Sequence, residues 1–137
     1  MSTRSDIIIK DYGIYEGKTW KMQQKLYHHH DGYPEGVGAF LIQEVLPQLE
    51  NSNDASCDTI ANFLIKHKED NEFECTVYNH VDIEYRYIID IPKKEIRCLE
   101  GHYTNWNSPR TRFITDREID LSKFKSVKAE NALASFN

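Results

Sequence analysis

A chain of 137 residues with 17 Lys and Arg against 22 Asp and Glu carries a formal net charge of −5. That length accommodates one domain with a sizeable core and leaves no room for a second. The acidic balance argues against sequence-independent binding to duplex DNA, which depends on neutralising many phosphates with Lys and Arg. A mean hydropathy of −0.66, with no apolar run near the roughly 20 residues of a helical span, argues against a membrane protein. The opening Met1-Ser2-Thr3-Arg4-Ser5-Asp6 is polar and reads as no secretion signal, so the cytosol is the expected compartment. Cys57, Cys75 and Cys98 are odd in number, widely spaced and without a C-x-x-C. They are expected to be reduced, buried thiols rather than a disulfide frame or a zinc site.

In chain order, Ile7-Ile8-Ile9 predicts a short buried strand, closed by a turn around Asp11-Tyr12-Gly13. Lys18 to His28 predicts a second strand with Trp20, Met22, Leu26 and His28 on one face. Val37, Leu41 and Val45 recur at helical spacing and predict a first helix over about 37–50, which Pro47 ends or kinks. A polar linker follows, and Ile60, Phe63, Leu64 and His67 form the stripe of a second helix over about 57–68. From Glu72 the period changes to two. Phe73, Cys75 and Val77 alternate with polar residues, Ile83 to Ile91 continue the pattern, and Pro92-Lys93-Lys94 turns the chain into Ile96–Leu99. These elements predict a single α+β domain over 1–137, two helices packed on an antiparallel sheet built largely from 72–100. Residues 102–113 read as an ordered loop presenting side chains. Ser122 onward has weak helical character, and residues past about 129 are expected to fray.

The segment Tyr27-His28-His29-His30-Asp31-Gly32-Tyr33-Pro34-Glu35-Gly36-Val37-Gly38 is the least like an ordinary connection. A proline in a first helical turn and glycines without side chains would let backbone N–H groups approach an anion or a flat ring. A glycine-rich hairpin exit explains the same residues without a ligand. His28 and His30, two apart on a strand, together with Asp31 are a candidate divalent-metal set and hence a metal-dependent hydrolase, although no helical H-x-x-x-H accompanies them. Neither a G-x-S-x-G elbow nor a Walker-type phosphate loop is present, so no assembled catalytic set and no cofactor is expected. Ligand capture has more behind it. Tyr85 beside Arg86, and Trp106 near Arg110 and Arg112, combine rings that stack bases with guanidinium groups that pair phosphates. The alternatives are sheet-core tyrosines and a solvated arginine pair.

The Y-x-H-x-D-G-Y-P-x-G-V-G run at 27–38, with the opening Met1–Ser5 and the later Asp82-Ile83-Glu84-Tyr85-Arg86-Tyr87, resembles a group of small phage and prophage proteins. That group is similar to the Thoeris anti-defence sponges. The resemblance covers most of residues 1–100, and its specific part is 27–38. It implies a non-catalytic homo-oligomer in the host cytosol that sequesters a cyclic nucleotide immune signal, a cyclic ADP-ribose isomer or a cyclic oligonucleotide, between chains. One pocket is then expected at His28, His30, Asp31, Gly32, Tyr33, Pro34, Gly36 and Gly38. Residue chemistry alone places another among Tyr85, Arg97, Trp106, Arg110 and Arg112. Gly36→Val is expected to block binding with modest loss of stability. A phage protein acting by protein–protein inhibition is the alternative.

Overall fold

The computed structural model describes residues 3–66, 73–104 and 109–125. Six strands form one sheet: β1 (Ser5–Tyr15), β2 (Lys18–His28), β3 (Phe73–Cys75), β4 (Tyr85–Asp90), β5 (Glu95–Thr104) and β6 (Arg112–Ile119), in the order β3-β2-β1-β4-β5-β6. The helical part lies between β2 and β3. It begins with two π-helical turns, Pro34–Gly38 and Leu41–Val45, and continues as α1 (Leu46–Asn51) and α2 (Cys57–Lys66). The chain is therefore the expected single α+β fold. A short helical turn at 122–125 closes the described part.

The sheet is mixed rather than purely antiparallel. β1 pairs with β4 in parallel, Ser5 beside Tyr85 through Lys10 beside Asp90, while the other four pairings are antiparallel. A parallel pair needs a long crossover, and the helical segment supplies it. Ile7-Ile8-Ile9 shows the signature of that arrangement. All three are buried, because a strand covered on both faces reads as a continuous apolar run.

Helices cover one face only. Ile7, Ile9, Leu26, Tyr87, Ile89 and Cys98 meet Val37, Leu41, Val45, Leu49, Ile60 and Leu64 there. On the other face a smaller cluster, Tyr27, Ile83 and Tyr103 with Phe113, surrounds an ion pair. Arg86 donates from Nε and Nη2 to the two oxygens of Asp6, both at 2.9 Å, and from Nη2 to the Tyr103 hydroxyl at 2.7 Å. Its guanidinium lies 4.6 Å from the Phe113 ring centroid.

Several local expectations change. β1 and β2 each add 11 residues of sheet outside 72–100, and residues 102–104 and 112–113, expected in a loop, belong to β5 and β6. β1 does not turn at Asp11–Gly13 but runs on to Tyr15, and the reversal falls at Glu16-Gly17, with φ of 52° and 75°. Two central residues with positive φ make the two-residue turn whose twist matches a hairpin. Gly13 instead sits in the strand opposite Trp20. The helix opens earlier, at Pro34. Pro47 does not end the helix, which passes from the π turn Leu41–Val45 into α1 around it. The strand from 73 stops at Cys75, and Val77 belongs to a loop. The second helix is described to Lys66, so its expected end and the stripe residue His67 fall outside the described residues, as does the tail past 129.

Candidate functional site

The 27–38 segment is built for packing. Asp31 adopts φ 54°, a left-handed conformation that Asp tolerates, and turns the chain back over the N-terminal end of β1. Gly32 donates its N–H to the Thr3 carbonyl, Gly36 to that of Tyr33 and Val37 to that of Asp31, at 2.9 to 3.0 Å. The Tyr87 hydroxyl donates to the Gly32 carbonyl at 2.6 Å. The donors expected to approach an anion are thus already used within the fold. The glycines fit where side chains cannot. A Cβ on Gly32 would lie 2.8 Å from Ser5 Cβ, and one on Gly36 would lie 2.2 Å from the Asp31 carbonyl oxygen. Gly32, Pro34 and Gly38 are buried, whereas His30, Asp31 and Tyr33 are exposed, with the Tyr33 hydroxyl donating to Asp31 Oδ1 at 3.1 Å.

His28 and His30 do not converge. The His28 ring is fully buried, 4.6 Å from the Phe73 ring, while His30 is exposed. His29 lies edge-on to Tyr27 and pairs with Glu74 at 3.5 Å. Among the described residues, no three His, Cys, Asp or Glu are grouped to hold a metal ion. Neither His28 ring nitrogen has a hydrogen-bond partner, nor does the hydroxyl of Ser5, its cross-strand neighbour.

Burial holds the His28 imidazole below its ordinary 6.5, with the Asp31 charge opposing it. The unfolded chain therefore binds a proton below about pH 6.5 that the folded chain resists, and stability falls as pH drops through that value towards the folded pKa. His28→Leu removes both orphan nitrogens. It is expected to raise stability at pH 7 by about 1–3 kcal/mol and to flatten the profile between pH 7 and 5. Urea unfolding of both proteins across that range checks this, and parallel profiles would show that the ring is not the source.

Within one chain, the described residues of the other expected pocket are not brought together. Tyr85 lies on the helix-covered face beside Glu100, and burial together with that carboxylate pushes its phenol up to about 12. Arg97, in register with Ile88, projects from the opposite face and is clamped by Glu118, with Nη2 at 2.6 Å. Arg112 is in register with Thr104 at the far end of β5. Seven residues of strand separate Thr104 from Arg97, roughly 23 Å. Arg110 and Arg112 are both exposed, and Trp106 lies outside the described residues. Cys57 and Cys98 are buried as expected, but Cys75 is exposed, because β3 ends there at the sheet edge.

That edge holds a cleft of about 410 Å³, lined by Gln23, Gln24, Lys25, Cys75, Thr76, Val77 and Tyr78. The loop after β3 is pinned from several sides. The Thr76 N–H donates to the Lys25 carbonyl at 3.0 Å, and the Tyr78 N–H donates to Thr76 Oγ1 at 3.1 Å. His80 stacks on Tyr27 at 3.8 Å, and the Tyr27 hydroxyl reaches both Asp82 oxygens at 3.1 Å. Burial and Asp82 push that phenol up to about 12. With its base anchored, the loop presents Val77, 90% exposed, and Tyr78, 74% exposed, beside the cleft. Lys25 donates to Asn79 Oδ1 at 2.7 Å, and partial burial lowers its ammonium pKa. The spacing Gln23-x-Lys25 on a strand was a readable signal for this face, but the strand edge that makes it a cleft was not. Comparison of the chain with protein-family models, with curated proteins and with solved structures returned no match.

Proposed function

We propose that the protein is a non-catalytic binding protein that captures a cyclic nucleotide signal, a cyclic ADP-ribose isomer or a cyclic oligonucleotide, as a homo-oligomer. The cleft at the sheet edge is the observation that supports it. An exposed tyrosine ring offers a base a stacking surface, the Gln23 amide offers base-edge hydrogen bonds, and the Lys25 ammonium offers a phosphate a charge. No carboxylate is among the residues that line it, and Asp58, which accepts from the lining Gln24 at 2.6 Å, is already engaged. The anti-defence role follows from the resemblance of the 27–38 segment. In that reading the segment shapes the fold rather than touching the ligand.

The test is retention and release. The purified protein is incubated with cyclic ADP-ribose isomers and cyclic trinucleotides, washed, and heated, and the released compound is identified by mass. Intact compound is the expected result. Degraded compound would make the protein an enzyme, and no retention would favour action on a protein partner. With a retained compound, Tyr78→Ala is expected to cost about 1–3 kcal/mol of affinity and Lys25→Ala about 1.5–3 kcal/mol, read by calorimetry. Unchanged affinity in both would move the site elsewhere.

A further inference from the structure

The β1–β2 hairpin is longer than the sheet it belongs to. Its register runs from Ser5 opposite His28 to Tyr15 opposite Lys18. β4 covers β1 only as far as Lys10, and β3 covers β2 only over 26–28. The remainder is a two-stranded ribbon, and such ribbons are marginal in water on their own. It nevertheless displays Ile14 (82% exposed), Tyr15 (67%), Trp20 (55%) and Met22 (42%).

The direction of its backbone groups follows from the bonds at its base. The Lys25 carbonyl accepts from Thr76 on the outer side. By alternation, the N–H and C=O groups of Thr19, Lys21 and Gln23 point the same way, away from β1. Among the described residues nothing pairs with them. The ribbon's other edge is partly closed, since the outward Tyr12 N–H is taken by Asp11 Oδ1 at 2.8 Å. The far edge of the sheet, β6, is blunted by charge: Asp116, Arg117 and Glu118 are held there against His102, Glu100 and Arg97. One open edge per chain leads to a closed pair rather than a fibre.

We infer that a second copy of this chain adds its own β2 antiparallel to Lys18–Met22, making a four-stranded ribbon across a two-fold axis. Three registers keep like faces together near the middle of the strand. An axis at Lys21 sets two ammonium groups opposite each other. An axis at Met22 drives the second copy's hairpin turn into β3. An axis at Trp20 avoids both: it pairs Thr19 with the second copy's Lys21, stacks Trp20 on its own copy, and covers Met22 with the stem of Lys18. It also brings the second copy's Glu16-Gly17 turn to the mouth of the cleft at Gln23 and Gln24.

Assembly is tested without nucleotide, so its outcome is separate from that of the capture experiment. Sedimentation equilibrium of the full chain is expected to give twice the 16.1 kDa chain mass. Lys21→Pro removes an outward N–H but no bond within the chain. It is expected to weaken the pair at least 100-fold while far-ultraviolet circular dichroism stays unchanged. A positive variant guards against misfolding. In a Cys75→Ser background, Trp20→Cys places two sulfurs across the axis, where facing Cα atoms of a non-hydrogen-bonded pair lie about 4.5 Å apart, within disulfide reach. Mild oxidation is expected to yield a covalent dimer from Trp20→Cys and little from Thr19→Cys. A monomeric wild type, or a dimer that survives Lys21→Pro and does not cross-link through position 20, would overturn the inference.

Discussion

Asp6→Ala is expected to cost about 3–5 kcal/mol, the penalty for leaving one partner of a buried ion pair uncompensated. The Asp6 side chain is 1% exposed and that of Arg86 16%, and the pair lies among Tyr27, Ile83, Tyr103 and Phe113 rather than in water. With the carboxylate gone, the guanidinium keeps the Tyr103 hydroxyl and the ring faces but loses its counter-charge. Replacing both partners with apolar residues, Asp6→Leu with Arg86→Met, is expected to recover most of the loss, since the desolvation cost then disappears as well. Guanidinium chloride unfolding of the two variants distinguishes the cases. A cost below about 1 kcal/mol for Asp6→Ala, the range of solvated surface pairs, would mean that water reaches the pair.

Gly36→Ala should be nearly as damaging, at about 3 kcal/mol or more, by overpacking against backbone. The added carbon meets the Asp31 carbonyl oxygen at 2.2 Å, and that carbonyl already accepts the Val37 N–H, so neither side yields without unmaking the turn. Gly13→Ala is the control. Its Cβ meets only the end of the flexible Met22 side chain, at 3.2 Å, and the effect should stay within about 0.5 kcal/mol. Thermal melts of the pair decide it, and a Gly36→Ala protein that melts with the wild type would show the 31–36 contact to be slack. The expectation that Gly36→Val acts on a ligand with little effect on the fold is therefore replaced. Any loss of binding in that variant follows from the lost turn.

The covered parts of the fold were readable because burial imposes a period. Tyr85, Tyr87 and Ile89 alternate, Val37, Leu41 and Val45 recur at helical spacing, and the structure places them in β4 and against the sheet, whereas Ile83 precedes the strand and packs on the other face. The reversal at Glu16-Gly17 escaped because Asp11-Tyr12-Gly13 carries stronger turn chemistry, and only cross-strand pairing tells a glycine in a ribbon from one in a turn. The ion pair joins residues 80 apart in sequence, so no local pattern announces it. The 27–38 segment was conspicuous for composition, yet composition alone does not separate a backbone that must approach a ligand from one that must approach Ser5 or Asp31. The cleft at Gln23–Lys25 depends on where β3 stops, which is a matter of register and not of residue type.

The placement of β1 at the centre of the sheet sets an order of events during synthesis. Its bonds to β2 are local, and the hairpin can close as soon as both strands are made. Its other side waits for β4, some 80 residues later, on the order of 4–16 s at ordinary translation rates. Through that interval Ile7, Ile8 and Ile9 form half of a parallel pairing with no partner, a strand edge of the kind that recruits other chains. The helical segment emerges in the meantime and covers one face of it, so a nascent chain first shelters Ile7 and Ile9 from above and only later seals the strand from the side.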